Sequence, residues 1–224
     1  MKVHRRSMLL FFMSILFAGN ISAQKAFKEA TLVYQINIES QSGKQEIAKS
    51  LDGATLTVYL KAGQSRSEML NALGTETTLY DAKAAKGAIL KSYSGQKLMI
   101  TLNAANWAQK NKYFHDLAFN IDNNIETING FSCKKATALL PEGKSVIVYF
   151  APDLVPANND YNNAFSKLPG LPVRYQVESG KLLFTYNLQK IGYESIPAST
   201  FELPKTGYRI MTYEENQQLR KGGK

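Results

Sequence analysis

The chain has 224 residues, 44% of them hydrophobic, 20% charged and 11% aromatic, with a formal charge of +9 at neutral pH. This is enough apolar material for a packed core and too much for a disordered chain. A single Cys excludes an internal disulfide framework, and two His leave little for acid–base or metal chemistry.

The first segment reads MKVHRRSMLLFFMSILFAGNISA. Lys2, Arg5 and Arg6 precede an apolar run from Met8 to Ala18, and Ser22 and Ala23 are small. This is the pattern of a secretory signal peptide over residues 1–23, cleaved after Ala23. The run is too short for a membrane span, which needs about 20 apolar residues. No Cys follows it, so the expected product is exported, periplasmic or extracellular, without a lipid anchor at this site. Cleavage removes basic residues and no acids, leaving a mildly basic remainder. That reads as a solvated surface rather than a nucleic-acid stripe, and no later stretch is apolar enough to cross a membrane.

From residue 24 onward the dominant signal is alternation of period two. Leu32, Tyr34, Ile36 and Ile38 share one face of a predicted strand; Leu56, Val58 and Leu60 share another. Leu98, Ile100 and Leu102, then Val173, Tyr175 and Val177, then Leu182, Phe184, Tyr186 and Leu188 repeat the pattern. One apolar and one polar face per strand is the signature of antiparallel sheets. Gly53, Gly63, Gly74, Gly87 and Gly95 punctuate short strands, and Asn129-Gly130 is a strong hairpin signal. Short helices are predicted over Gly43–Leu51, Ala104–Phe114 (capped by Asn103) and Glu214–Arg220, and a long loop over Ala157–Asn163. The expected fold is mainly β, a single curved antiparallel sheet forming an open half-barrel of meander type. One domain spans residues 24–213, and 214–224 form a short helix and a flexible basic tail.

Candidates for chemistry are few. His115 beside Asp116 has no nucleophile elbow to serve. Cys133, flanked by Lys134 and Lys135, is either an activated thiol or a small buried hydrophobe, the latter being the commoner state. Glu68 and Glu76 form a weak candidate carboxylate pair on adjacent strands. No metal-ligand spacing or phosphate-binding glycine loop occurs, so no cofactor and no enzymatic activity are expected. Aromatics in strands are prominent. Tyr34, Tyr149, Tyr175, Phe184 and Tyr186 are candidates to line a cavity on an inward sheet face, or else to fill the core.

Two segments carry a resemblance. Ile128-Asn129-Gly130-Phe131-Ser132-Cys133-Lys134-Lys135-Ala136 resembles the I-x-G-[YF]-x-C-x-K-A hairpin of the GLPGLI family of exported β proteins, notably at Gly130, Cys133, Lys135 and Ala136. Leu168-Pro169-Gly170-Leu171-Pro172 is similar to that family's naming motif at Pro169, Gly170, Leu171 and Pro172, with Leu168 in place of Gly. Val146–Pro156 and Phe201–Tyr208 are similar to further family segments. The resemblance implies an envelope β-domain of Gram-negative type whose fold is similar to the Lol-type lipoprotein carrier, and it carries over no catalytic residue. Pro169 and Pro172 read as stiffening the chain on either side of a flexible Gly170.

Two readings of function follow. The first is an exported binding module that holds an apolar or lipidic ligand, or a lipidated or unfolded partner, on a curved sheet. The second is an envelope scaffold that docks a partner through a sheet edge or the Pro-Gly loop.

Overall fold

The computed structural model describes residues 24–41, 48–49, 51, 53–114, 117–140 and 143–222. The expected signal peptide, His115, Asp116 and most of the Gly43–Leu51 segment lie outside these residues.

The strands are β1 (Lys25–Phe27), β2 (Glu29–Ser40), β3 (Thr55–Lys61), β4 (Gln64–Asn71), β5 (Gly74–Asp81), β6 (Lys86–Tyr93) and β7 (Gln96–Asn103). After a helix over Ala104–Asn111 come β8 (Asn120–Ile128), β9 (Phe131–Leu139), β10 (Ser145–Ala151), β11 (Leu154–Pro156), β12 (Leu171–Ser179), β13 (Leu182–Gly192) and β14 (Arg209–Thr212). The mainly-β prediction holds: twelve strands form one open sheet in the order β14-β7-β6-β5-β4-β3-β2-β13-β12-β10-β9-β8. Every neighbouring pair in it is antiparallel except β14–β7, and β1 pairs separately with β11 in parallel.

The chain enters mid-sheet at β2 and meanders outward to β7. It must then reach β8, at the opposite edge. On the way, the helix Ala104–Asn111 and Phe114 lie over the concave face. Asn103 starts this helix as the sequence predicts: its side chain accepts from the Asn106 N–H, and the Asn106 side chain accepts from the Asn103 N–H. The chain then returns inward through β8, β9, β10 and β12 to β13, beside β2. Residues 193–208 recross the sheet on its convex face. There Ile196 bonds Lys61 and Glu29, Thr200 accepts from Arg66, and Tyr208 packs on Leu79, Ala88, Leu90 and Met99. The sheet is thus covered on both faces by its own long connections.

The C-terminal helix Tyr213–Gly222 begins at a Thr212–Glu215 capping pair. It contains the predicted Glu214–Arg220 helix and continues through Lys221 into the segment expected to be a tail; Arg220 and Lys221 sit in its last turn, where the helix dipole favours them. A second correction concerns Ala157–Asn163. Asn159–Phe165 form 3-10 turns, because the Asn158 side chain caps the Asp160 N–H and Phe165 is anchored in the core. Asn129 and Gly130 both have positive φ (49° and 82°), as a two-residue hairpin between β8 and β9 requires.

Candidate functional site

The concave face presents alternate residues of each strand. The cross-strand partners run Tyr175–Tyr186 and Tyr34–Leu56, then Val58–Ser67 and Ser67–Thr78. Above them lie the helix residues Trp107, Lys110 and Asn111, then Phe114, and the 3-10 segment with Tyr161 and Phe165. Between these layers is a cavity of about 250 Å³.

Its walls are aromatic. Tyr175 stacks on Tyr186 at 4.6 Å and meets Phe165 edge-on at 4.7 Å, while Tyr34 lies at 5.9 Å from Tyr175. Trp107 is fixed by stacking on Tyr80, with centroids 4.0 Å apart. A second cavity of about 170 Å³ adjoins the first and shares Phe114, Ala164, Phe165 and Val177 with it as a common wall.

The polar groups of the cavity differ in how they are satisfied. The Tyr34 hydroxyl donates to the Pro172 carbonyl at 2.8 Å, and Asn111 donates to the Trp107 carbonyl at 2.9 Å. The Tyr161 hydroxyl is buried beside the Tyr34 hydroxyl and makes no hydrogen bond of regular geometry. Leaving such a group unpaired costs about 1–3 kcal/mol. Burial raises the pKa of Tyr34, Tyr161 and Tyr175 well above the ordinary tyrosine value, and pushes Tyr186 up to about 12. At the rim stands Lys110, the only charged side chain among the described lining residues. Desolvation lowers its pKa, with Glu76 opposing and Lys91 adding to the effect. The residue as a whole is solvent-exposed. Glu76 is itself held by Lys91 at 3.1 Å.

Of the aromatics singled out from sequence, Tyr34, Tyr175 and Tyr186 line this cavity. Tyr149 pairs with Arg174 and Lys135, one residue out of phase with Val148, and so faces the other side. Phe184 lies farther along β13, opposite Val177 and Ile38. Trp107, Phe114, Tyr161 and Phe165 were not anticipated as lining. Trp107 and Phe114 lie in the connection from β7 to β8, whose need to cross one face could have pointed to them; Tyr161 and Phe165 lie in the connection from β11 to β12, where no periodicity marks them. Glu68 and Glu76 are not brought together: Glu68 is bonded to Arg66 on the convex face, and Glu76 points to the concave one.

The residues of the GLPGLI-like resemblance converge on three adjacent strands. Ala136 pairs with Val148, Lys135 with Tyr149, Phe150 with both Lys134 and Pro172, and Ala151 with Leu171. Pro172 sits within central strand β12 beside a bulge, where its missing N–H breaks no regular ladder. Gly170 is buried against β10, and Gly130 forms the hairpin turn. The motif is a packing unit. Cys133 belongs to it, fully buried, with its thiol pushed up to about 11 by desolvation, Arg174 and the backbone opposing. Lys134 instead reaches Asn123 at 3.5 Å. At pH 8 only about one thiol in a thousand is ionised at such a pKa. Thiol-directed alkylation of the native protein should therefore be undetectable and become complete in denaturant; rapid native labelling would contradict this burial.

Among the described residues, no group of His, Cys, Asp and Glu is placed to hold a metal ion, and no helix is long and apolar enough to cross a membrane. The chain matches no protein-family model and no curated protein sequence. Among solved structures, PNGF-II resembles it with a TM-score of 0.47 at 10% identity, over 86% of this chain and 33% of that one. The MucA/MucB complex of Pseudomonas aeruginosa gives 0.38 at 11% identity, over 79% and 56%. LprF from Mycobacterium bovis gives 0.33 at 9%, over 75% and 88%. The chain thus spans about a third of PNGF-II and just over half of its match in the MucA/MucB structure. At this level of similarity no activity or partner passes to this chain.

Proposed function

We propose that the protein is an exported, non-enzymatic binding module of the cell envelope that holds a small apolar or amphipathic ligand between its sheet and the crossing helix. The observation that carries this reading is the aromatic cavity with the unsatisfied Tyr161 hydroxyl inside it. The size is informative. Pockets for drug-sized ligands start at about 300 Å³, so 250 Å³ suits something smaller and has no room for a diacylated lipid. Export is supported by the pattern of residues 1–23, and the envelope setting by the GLPGLI-like residues.

The scaffold reading finds less support. One free edge, β14, has four residues, and the other, β8, is polar and bulged between Ile121 and Ile125. Both are ways to discourage strand addition. The apolar residues of the Pro-Gly loop, Leu168 and Leu171, are buried.

Native mass spectrometry of protein purified gently from producing cells should reveal a small apolar adduct that organic solvent removes. Trp107, the sole tryptophan, should then respond to an added apolar probe such as 1-aminoanthracene. Bare protein whose Trp107 emission ignores the probe would remove this reading.

A further inference from the structure

The following rests on the binding reading above and gives the ligand a chemical class. We infer that the concave cavity takes a medium-chain monocarboxylate, its carboxylate held at Lys110 and the Tyr161 hydroxyl and its chain laid against the aromatic walls.

Charge comes first. No carboxylate is among the described lining residues, and Lys110 is the one ion there. The acid that acts on it, Glu76, is already paired with Lys91 at 3.1 Å. Among the described residues Lys110 has no ion-pair partner; its recorded neighbour is the Trp107 ring at 5.6 Å. An anionic headgroup is what this rim lacks, and a cationic one is repelled.

Hydrogen bonding points the same way. Tyr34 and Asn111 have committed their donors to backbone carbonyls. Tyr161 has not, and a carboxylate oxygen is a strong acceptor for its O–H. A neutral alcohol could satisfy Tyr161 but would leave Lys110 unanswered.

Volume sets the length. At about 30 Å³ per water-sized group, the cavity of about 250 Å³ holds roughly eight such groups, enough for an eight-carbon chain whose carboxylate stays at the rim. Octanoate is of that size. Its chain would lie along the wall that the contacting rings of Tyr175, Tyr186 and Phe165 build together, toward the side shared with the smaller cavity.

The test uses the full processed chain and the emission of Trp107, titrated in parallel with sodium octanoate, 1-octanol and octylammonium. Octanoate is expected to bind at least about tenfold more tightly than octanol, weakening as salt is raised, with no saturable binding of octylammonium. Lys110→Gln, on an exposed helix position, should erase the preference for octanoate over octanol. Tyr161→Phe keeps the ring and should weaken octanoate several-fold and octanol by less, because the hydrogen bond to a carboxylate is the stronger one; circular dichroism reports that each variant is folded. Equal binding of octanoate and octanol, or a preference that survives both substitutions, overturns the carboxylate inference and leaves the cavity as a binding site. If none of the three compounds binds, the binding reading fails as well.

Discussion

Gly170→Ala is expected to destabilise the protein by about 2–3 kcal/mol in urea denaturation. A β-carbon at this position would stand 2.3 Å from the carbonyl oxygen of Ala151 and 2.8 Å from the Phe150 ring. Neither can retreat. Phe150 is fully buried, and Ala151 is held in register with Leu171 across β10 and β12. The sequence alone suggested a different role for Gly170, a flexible point between two prolines. The two roles predict opposite signs. Gly170 has no positive φ that would penalise alanine. If flexibility were its purpose, alanine would be neutral or would stabilise by about 0.4–1 kcal/mol through the unfolded chain. Pro169→Ala, at an exposed position, is the control and should have a much smaller effect. A Gly170→Ala protein as stable as the parent would show that the close approach of β12 to β10 is not what the motif provides.

Alkaline pH is expected to unfold the protein steeply, because the cavity tyrosines cannot ionise where they are. Burial raises the pKa of Tyr34, Tyr161, Tyr175 and Tyr186 in the folded state. Below pH 10, near the unfolded tyrosine pKa, each is neutral in both states and stability does not depend on it. Above that, the unfolded chain releases these protons while the folded chain retains them. The folded state then binds more protons, so stability falls as pH rises, by about 1.4 kcal/mol per pH unit for each tyrosine still neutral in the fold. For Tyr186 the loss is complete near its folded pKa of about 12; the other three continue beyond it. Tyrosinate absorbance from these rings should therefore appear together with loss of the β-sheet circular dichroism signal. Replacing Tyr186 by Phe should flatten the decline. Ionisation of the cavity tyrosines at pH 10 in protein that remains folded would mean that water fills the cavity freely.

The sheet was legible in the sequence because its cause is local. Alternation at Leu32–Ile38, Leu56–Leu60 and Leu182–Leu188 places one face of each strand in the core, and Asn129-Gly130 can make only a tight turn. β4 and β5 were marked mainly by the glycines around them: on the concave side they carry Ser65, Ser67, Glu76 and Thr78, with Met69 and Tyr80 the larger side chains of that face. Ser65, Ser67 and Thr78 are the members of this face that line the cavity, and their polarity is what weakened the strand signal. The site was half visible. Tyr34, Tyr175 and Tyr186 follow from strand periodicity. Tyr161 and Phe165 sit in an Asn-rich segment whose composition says loop, and whose place over the sheet depends on long-range packing with Tyr175. Cys133 and Gly170 stand out in the sequence for chemistry and flexibility, and both turn out to serve packing.

The most direct test of the account is a two-dimensional NMR titration of the isotopically labelled protein with octanoate. Shifts confined to the Trp107 indole, the 3-10 segment around Tyr161 and Phe165, and the facing strand positions Val58, Ser67, Tyr175 and Tyr186 are the predicted result. Shifts gathered instead along residues 193–208 on the convex face or on the β8 edge, with those cavity signals unmoved, would contradict it.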